Sequence, residues 1–336
     1  MSRRIRQFPR SEVRSTDKIR SLDAASLFPN DSIEPPVQSE FQTEWLPCEI
    51  GNDDTLLLEV QELIDDYAGV IFTGSPGTSK SWYAAQIAAK LADRDPVRVR
   101  FIQFHASYQY EDFVEGYVPR KDGEGFVLID KHLLDMCDVA RRHPGELCII
   151  VIDELSRSDP GRVFGEALTY IENTKRNQTF HLASGNTASI PPNLFFIATM
   201  NPMDRGVDEV DAALERRFAK IAMDPSAGML ETLLTKNRMD ESLRGRVIQF
   251  FRFLQGNSND RCKVGHAYFR AAVDEDDLRR LWERQLKFHM AKAFPLNSDG
   301  YRTIEEEWGK IFPKPTVVTG DEAASTAVEG GEETGS

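Results

Sequence analysis

A run of small residues around one lysine has the spacing of a phosphate-binding loop. The segment FTGSPGTSKS, residues 72–81, matches the pattern G-x-x-x-x-G-K-[ST] except that Ser79 stands at the second fixed glycine. In such a loop, successive backbone N–H groups and the N-terminus of the following helix converge on a phosphate. Lys80 would reach the outer phosphates, and the Ser81 hydroxyl would complete a Mg²⁺ shell. The candidate phosphate-binding residues are Gly74, Ser75, Pro76, Gly77, Thr78, Ser79, Lys80 and Ser81.

The serine at position 79 leaves two interpretations open. Its Cβ narrows the approach of a phosphate or strains the turn, because glycine adopts the backbone angles of tight loops most easily. Serine is nevertheless small, and its N–H and hydroxyl can both face a phosphate. The alternative is a glycine-rich turn that binds nothing.

Polar residues also end two later apolar runs. Asp153 and Glu154 end CIIVIDE, and Asn201 ends FIATMN. Beside a phosphate loop, one acid orients Mg²⁺ and the next polarises the attacking water, while an amide at a neighbouring strand end holds the γ-phosphate or that water. Such residues also occur in ordinary polar turns, but the phosphate loop favours catalysis. We predict that Ser81 and Asp153 bind the metal.

Two adjacent arginines follow a segment with helical spacing. VDEVDAALERRF places Arg216 and Arg217 together, just before Phe218 and a further apolar run. They can complement the C-terminus of a helix. In a ring of phosphate-loop subunits they would instead face the γ-phosphate of a neighbour, where an arginine stabilises the charge of the transition state.

Helical and strand-like segments alternate up to about residue 224, which predicts an α/β domain with a five-stranded parallel sheet and helices on both faces. Residues 117–130 and 177–190 are predicted to be hairpins, with turns at Asp122-Gly123 and Gly185-Asn186. The segments after about residue 224 all have apolar residues at helical spacing. The predicted strands are GVIFTG, VRVRFIQFH, LCIIVIDE, NLFFIATMN and FAKIAMD.

The predicted organisation has four parts. Residues 1–50 form a basic, largely disordered segment, residues 51–224 the α/β domain, residues 225–313 a small all-helical domain, and residues 314–336 an acidic disordered tail. The basic arm would touch nucleic acid or simply be solvated. Only about fifty residues precede the first core helix, which we expect to be too few for a sizeable independent domain.

Composition restricts the class of protein. The 336 residues carry a net charge of −13, which argues against an overall nucleic-acid-binding surface. The four cysteines form no C-x-x-C pair, so neither a disulfide framework nor a structural metal is expected. No apolar run is long enough to cross a bilayer. We expect a cytoplasmic protein without a membrane partner.

Five phrases of the sequence, of which the phosphate loop is the first, resemble those of the McrB-type AAA+ NTPases. The relatives of that family include the MoxR-type chaperones. The five phrases span roughly residues 65–290, and the phrases SYxYEDFVEG and MNxxD separate this branch from other AAA+ proteins. The phrases are GSPGTSKS, FIQFHASYQYEDFVEGYVP, IIVIDELSRSDPGRVFGEALTYIENTKR, ATMNPMDRGVDEVDAALERRF and VGHAYF.

The resemblance implies an AAA+ P-loop fold with a helical lid, and a ring, usually hexameric, that binds ATP or GTP with Mg²⁺ between subunits. It assigns γ-phosphate sensing to Asn201, action in trans to Arg216 and Arg217, and support of the hydrolytic centre to Asp204. His266, in the lid phrase VGHAYF, would either approach the nucleotide or pack in a core. The hairpins would face the pore or a partner.

Three functions follow from this resemblance. The leading one is a motor NTPase that moves DNA or remodels a partner in a restriction or anti-phage system, with a McrC-like companion nuclease and DNA reached through a partner. The second is a nucleotide-gated scaffold with little hydrolysis, which Ser79 favours. The third is a MoxR-type chaperone acting on protein. The absence of an N-K-x-D phrase does not exclude GTP, and we favour ATP.

Overall fold

A five-stranded parallel sheet forms the centre of the molecule. The computed structural model describes residues 46–121, 123–202, 212–296 and 298–312. The strands of this part of the chain are β1 (Gly69–Thr73), β2 (Val99–Gln103), β3 (Glu115–Pro119), β4 (Phe126–Asp130), β5 (Cys148–Asp153), β6 (Phe180–His181), β7 (Thr187–Ala188), β8 (Leu194–Met200) and β9 (Phe218–Ala222). The sheet has the order β2-β5-β8-β1-β9, and every neighbouring pair is parallel. The predicted sheet is therefore confirmed.

Helices connect these strands and follow them. The described α-helices are α1 (Thr55–Leu63), α2 (Lys80–Leu91), α3 (Tyr110–Phe113), α4 (His132–Arg142), α5 (Pro160–Phe164), α6 (Ala167–Tyr170), α7 (Ala212–Glu215), α8 (Ala227–Lys236), α9 (Glu241–Gln255), α10 (Glu275–Leu281), α11 (Lys287–Ala293) and α12 (Asp299–Gly309). None of the described helices is both long and apolar enough to span a bilayer.

Successive residues of the central strands belong to different cores, because side chains alternate between the two faces of a sheet. On β1, Val70 and Phe72 pack with α1 and α2, whereas Ile71 packs on the opposite face with α4 and α5. The same alternation separates Phe195 from Phe196 on β8. Burial on both faces explains the unbroken apolar runs of these strands.

A separate core lies among the helices that follow β9. Trp282 and Trp308 stack at its centre with ring centroids 5.0 Å apart, and Phe250 meets Trp308 edge to face. The N-terminus of each main helix is capped by a side chain that accepts a backbone hydrogen bond, which favours the start of a helix at that residue. The caps of α8, α9 and α12 are Ser226, Asp240 and Ser298.

Two antiparallel pairs, β3 with β4 and β6 with β7, occupy the segments of the predicted hairpins. Asp122 lies outside the described residues, while Gly123 and Gly185 have the positive φ angles that these turns require. Glu115 joins the two hairpins: its carboxylate is buried and accepts hydrogen bonds from the Ser184 backbone N–H at 3.0 Å and hydroxyl at 2.8 Å. The phrase SYQYEDFVEG therefore fixes one hairpin against the other.

Candidate active site

The phosphate loop lies between the carboxyl end of β1 and the N-terminus of α2. Its two glycines are sterically required: a Cβ on Gly74 would lie 2.3 Å from the Met223 carbonyl oxygen, and one on Gly77 would lie 2.6 Å from the Tyr268 ring. The Thr78 hydroxyl donates to the Ser75 carbonyl at 3.0 Å and closes the turn. The Met223 backbone on one side and the Tyr268 ring on the other therefore leave no room for a side chain at these two positions.

Ser79 adopts the left-handed conformation, with φ 65° and ψ 21°, immediately before α2. Glycine reaches this region without penalty, whereas a residue with a Cβ is strained there. The chain thus keeps the backbone geometry of the glycine that the pattern calls for. Serine at this position makes the left-handed conformation energetically less favourable but leaves the backbone path of the loop unchanged.

The side chains of Lys80 and Ser81, at the start of α2, are both held by hydrogen bonds. The Lys80 ammonium donates to the carbonyl oxygens of Gly74 and Ser75, each at 2.8 Å. The Ser81 hydroxyl donates to Asp153 Oδ1 at 2.7 Å. A hydroxyl beside one carboxylate suits Mg²⁺, which takes few protein ligands and completes its shell with water and phosphate oxygens. No cluster of three or more His, Cys, Asp or Glu side chains suited to a metal occurs among the residues described.

Thr199 on β8 connects the two acids at the end of β5. Its hydroxyl donates to Asp153 Oδ1 at 2.6 Å and accepts the Glu154 backbone N–H at 3.1 Å. Glu154 itself has φ 58°, a strained angle for a residue with a side chain. Its carboxylate pairs with Arg157 at 3.2 Å. The network holds Asp153 against Ser81 and turns the chain at Glu154.

A cavity of about 640 Å³ opens beside the loop, between the sheet and the helices after β9. Of the predicted residues, the cavity wall contains Pro76, Gly77, Ser79, Lys80, Ser81, Glu154 and Asn201. Asp153 is not part of this wall but lies behind it, bonded to Ser81. The structure therefore brings the loop, the acids and the strand-end amide together at one edge of the sheet.

The two adjacent arginines have different surroundings. The Arg216 side chain is 66% exposed and lies 4.0 Å from Glu172, whereas Arg217 is 3% exposed and lies 3.4 Å from the same carboxylate. Arg217 also donates to the Ala213 carbonyl oxygen. Neither arginine belongs to the described cavity wall. The exposed Arg216 is the one placed to reach another chain, and Asp204 lies outside the described residues.

Replacing Arg217 with alanine should therefore destabilise the fold. Removing a buried guanidinium leaves its partners unsatisfied, although Glu172 is partly hydrated, and we expect the melting temperature to fall by about 3 °C or more. Arg216→Ala is the matched control and should cost less, because its side chain is mostly hydrated. Equal melting temperatures of the two variants in calorimetry would contradict the structural role of Arg217.

The comparisons with known proteins agree with this arrangement. The profile of the family described as "AAA domain (dynein-related subfamily)" matches residues 69–218, from the start of β1 to the start of β9. The Type IV methyl-directed restriction enzyme EcoKMcrB subunit of Escherichia coli (strain K12) is 31% identical over 222 residues, which are 61% of this chain and 48% of that protein. This part of the chain is therefore a McrB-type AAA+ domain.

A second relative of this McrB-type chain also comes from a restriction system. The Type II restriction enzyme BsuMI component YdiS of Bacillus subtilis (strain 168) is 24% identical over 188 residues, 44% of this chain and 55% of that protein. The chain thus spans about half the length of the curated relatives it matches.

The structure of this McrB-type chain adds residues that the motifs did not point to. Thr199 lies two positions before Asn201, a spacing that places both on one side of β8, so period-two alternation was a usable signal. Arg157 and Arg270 line the cavity from the segment after β5 and from the helical part. Their positions depend on how distant segments pack, and no local spacing indicates it.

Proposed function

We propose that this chain is a nucleoside-triphosphate hydrolase subunit of a restriction system, using ATP or GTP with Mg²⁺. The observation that carries the proposal is the network at the phosphate loop, in which Ser81 and Thr199 donate to Asp153 and Thr199 holds Glu154. The names of the two relatives support the restriction context.

Each residue of the site has a separate task in this proposal. Lys80 and the N–H groups at the start of α2 bind the phosphates. Ser81 and Asp153 hold Mg²⁺, which would offset the charge of the phosphate oxygens. Glu154 accepts a proton from the attacking water, and Asn201 positions that water or the γ-phosphate.

The assembly is part of the same proposal. Arg216 is exposed on the side of the sheet where β9 begins, and it would complete the site of a neighbouring subunit in a hexameric ring. Turnover in the ring would then drive DNA translocation or remodel a bound effector. A McrC-like nuclease is the companion that this function requires, and DNA would be reached through it.

Phosphate release tests the activity directly. The purified chain is incubated with ATP or GTP, with and without Mg²⁺, DNA and the product of a neighbouring gene. We expect Mg²⁺-dependent release that rises with protein concentration as rings form, and a further rise with the companion. Absence of release from both nucleotides under all these conditions would overturn the hydrolase.

A nucleotide-gated scaffold is the second candidate, and one contact favours it. The carboxylate proposed as the base, on Glu154, is paired through one of its oxygens with Arg157 at 3.2 Å, so that oxygen is already engaged in the absence of substrate. A scaffold would bind nucleotide tightly, assemble with its partner and release phosphate slowly. Stimulation of release by the companion would exclude it.

Thr199→Val should slow hydrolysis about tenfold. Valine keeps the shape of threonine but removes the donor to Asp153 and the acceptor for the Glu154 N–H, and a hydrogen bond to a charged group contributes about 1.5–3 kcal/mol. Thr199→Ser keeps the hydroxyl and should retain most of the rate. Steady-state phosphate release gives the comparison, and wild-type turnover in Thr199→Val would remove Thr199 from the site.

A further inference from the structure

The helical part of the chain touches the phosphate loop backbone to backbone. The N–H of Gly265 donates to the Pro76 carbonyl at 3.1 Å, and that of Ala267 donates to the Gly77 carbonyl at 2.9 Å. A Cβ on Gly265 would lie 2.0 Å from the Gly77 carbonyl. Glycine on each side permits this approach, so the loop and the segment after α9 form one unit.

One side-chain hydrogen bond reinforces this contact at the position where glycine is replaced. The Ser79 hydroxyl does not cap α2 and lies instead 3.0 Å from His266 Nε2. His266 is 3% exposed, and both residues line the cavity beside the loop. The replacement of glycine by serine thus coincides with a buried histidine that reaches the new hydroxyl.

The surroundings of His266 fix its protonation. Its Nδ1 faces the Ser226 backbone N–H at 3.5 Å and therefore acts as the acceptor. Burial lowers the pKa of His266 and so favours the neutral ring. The single ring proton is then on Nε2 and is donated to the Ser79 oxygen, which leaves the hydroxyl proton of Ser79 for another acceptor.

We propose that His266 is a positioning residue that orients the Ser79 hydroxyl to donate a hydrogen bond to the bound phosphates and fastens the helical lid to the loop. The proposal rests on the nucleotide-binding function proposed above. In this proposal, the Ser79 hydroxyl donates a hydrogen bond that glycine cannot provide. That hydrogen bond offsets the strain of the left-handed conformation. Nucleotide affinity then depends on the lid remaining in contact with the loop.

A double-mutant cycle between Ser79→Ala and His266→Phe tests the proposal. Alanine keeps the Cβ and removes the hydroxyl, while phenylalanine keeps the ring volume and removes the donor. The dissociation constants of the β,γ-imido analogues of ATP and GTP, with Mg²⁺, are measured by calorimetry on the full chain. We expect each single variant to bind about fivefold more weakly and the double variant no more weakly than either.

Two further variants separate orientation from packing. His266→Gln places an amide donor near the position of Nε2 and should recover most of the affinity. In a Ser79→Gly background, where strain and hydroxyl are both absent, His266→Phe should have little further effect on binding. Melting temperatures without nucleotide show whether each variant folds. Ser79→Ala and Ser79→Gly change no side chain in the core of the helical part, so a difference in their affinities does not come from that core.

The outcomes distinguish this inference from the proposed function. Losses that multiply in the double variant, or wild-type affinity in Ser79→Ala, would overturn the role of the pair while the chain still binds nucleotide. Failure of the unaltered chain to bind either analogue would overturn the proposed function itself.

Discussion

Glu154→Gln should lower the rate of nucleotide hydrolysis at least about 100-fold while the dissociation constant of the nucleotide stays within about threefold. Glutamine has the size of glutamate but cannot accept a proton from water at neutral pH. The hydrogen bond that closes the loop at Thr78 and those from Ser81 and Thr199 to Asp153 do not use the Glu154 carboxylate, so we expect binding to be retained. Steady-state phosphate release and calorimetry measure the two quantities.

Asp159→Asn provides the matched control for this loss of one negative charge. Asp159 caps α5 by accepting the Arg162 backbone N–H, and asparagine caps helices equally well. The control should turn over at the wild-type rate. Normal turnover in Glu154→Gln would move the role of the base to another group, and loss of nucleotide binding would show that the Glu154 carboxylate contributes to the cavity.

The sheet could be predicted from the sequence because its three central strands, β1, β5 and β8, are buried on both faces. A strand with a core on each side needs apolar residues at every position, and it gives an aliphatic run that ends abruptly at a polar residue. The run that ends at Asp153 shows this pattern. Carboxyl ends of parallel strands meet at one edge, so Asp153 and Asn201 could be placed beside the loop before any coordinates.

The contacts of Ser79 could not be predicted in the same way. The residue that meets its hydroxyl, His266, is 187 positions away in the chain and lies on a turn whose place depends on the packing of the helical part. The sequence left His266 either near the nucleotide or in a core, and the structure shows it buried and lining the cavity. Local patterns carry no information about such a pairing.

The sequence also could not predict which of the two adjacent arginines is buried. Arg216 and Arg217 are adjacent in one phrase, and its helical spacing does not decide which of them is buried. Only the position of Glu172 and the packing of α7 on the sheet decide that Arg217 is buried. The sequence therefore predicted two equivalent arginines, whereas tertiary packing buries Arg217 and leaves Arg216 exposed.

Arg216→Ala should reduce hydrolysis about 1,000-fold in the assembled protein, with nucleotide affinity and the melting temperature close to wild type. An arginine beside the γ-phosphate acts on the charge of the transition state, so its loss lowers the rate far more than it weakens binding. The Arg216 side chain is 66% exposed, so the substitution removes little buried packing. Arg162→Ala, at an 87% exposed guanidinium on α5, controls for the lost surface charge.

Mixing two inactive variants tests whether Arg216 acts on a neighbour. In the proposed ring, mixed Glu154→Gln and Arg216→Ala subunits would form interfaces where the intact Glu154 of one chain meets the intact Arg216 of the next. Each such interface would have a complete site. We expect the mixture to release phosphate although neither variant does so alone. If activity does not return in mixed rings of verified size, Arg216 acts within its own chain or has no part in the site.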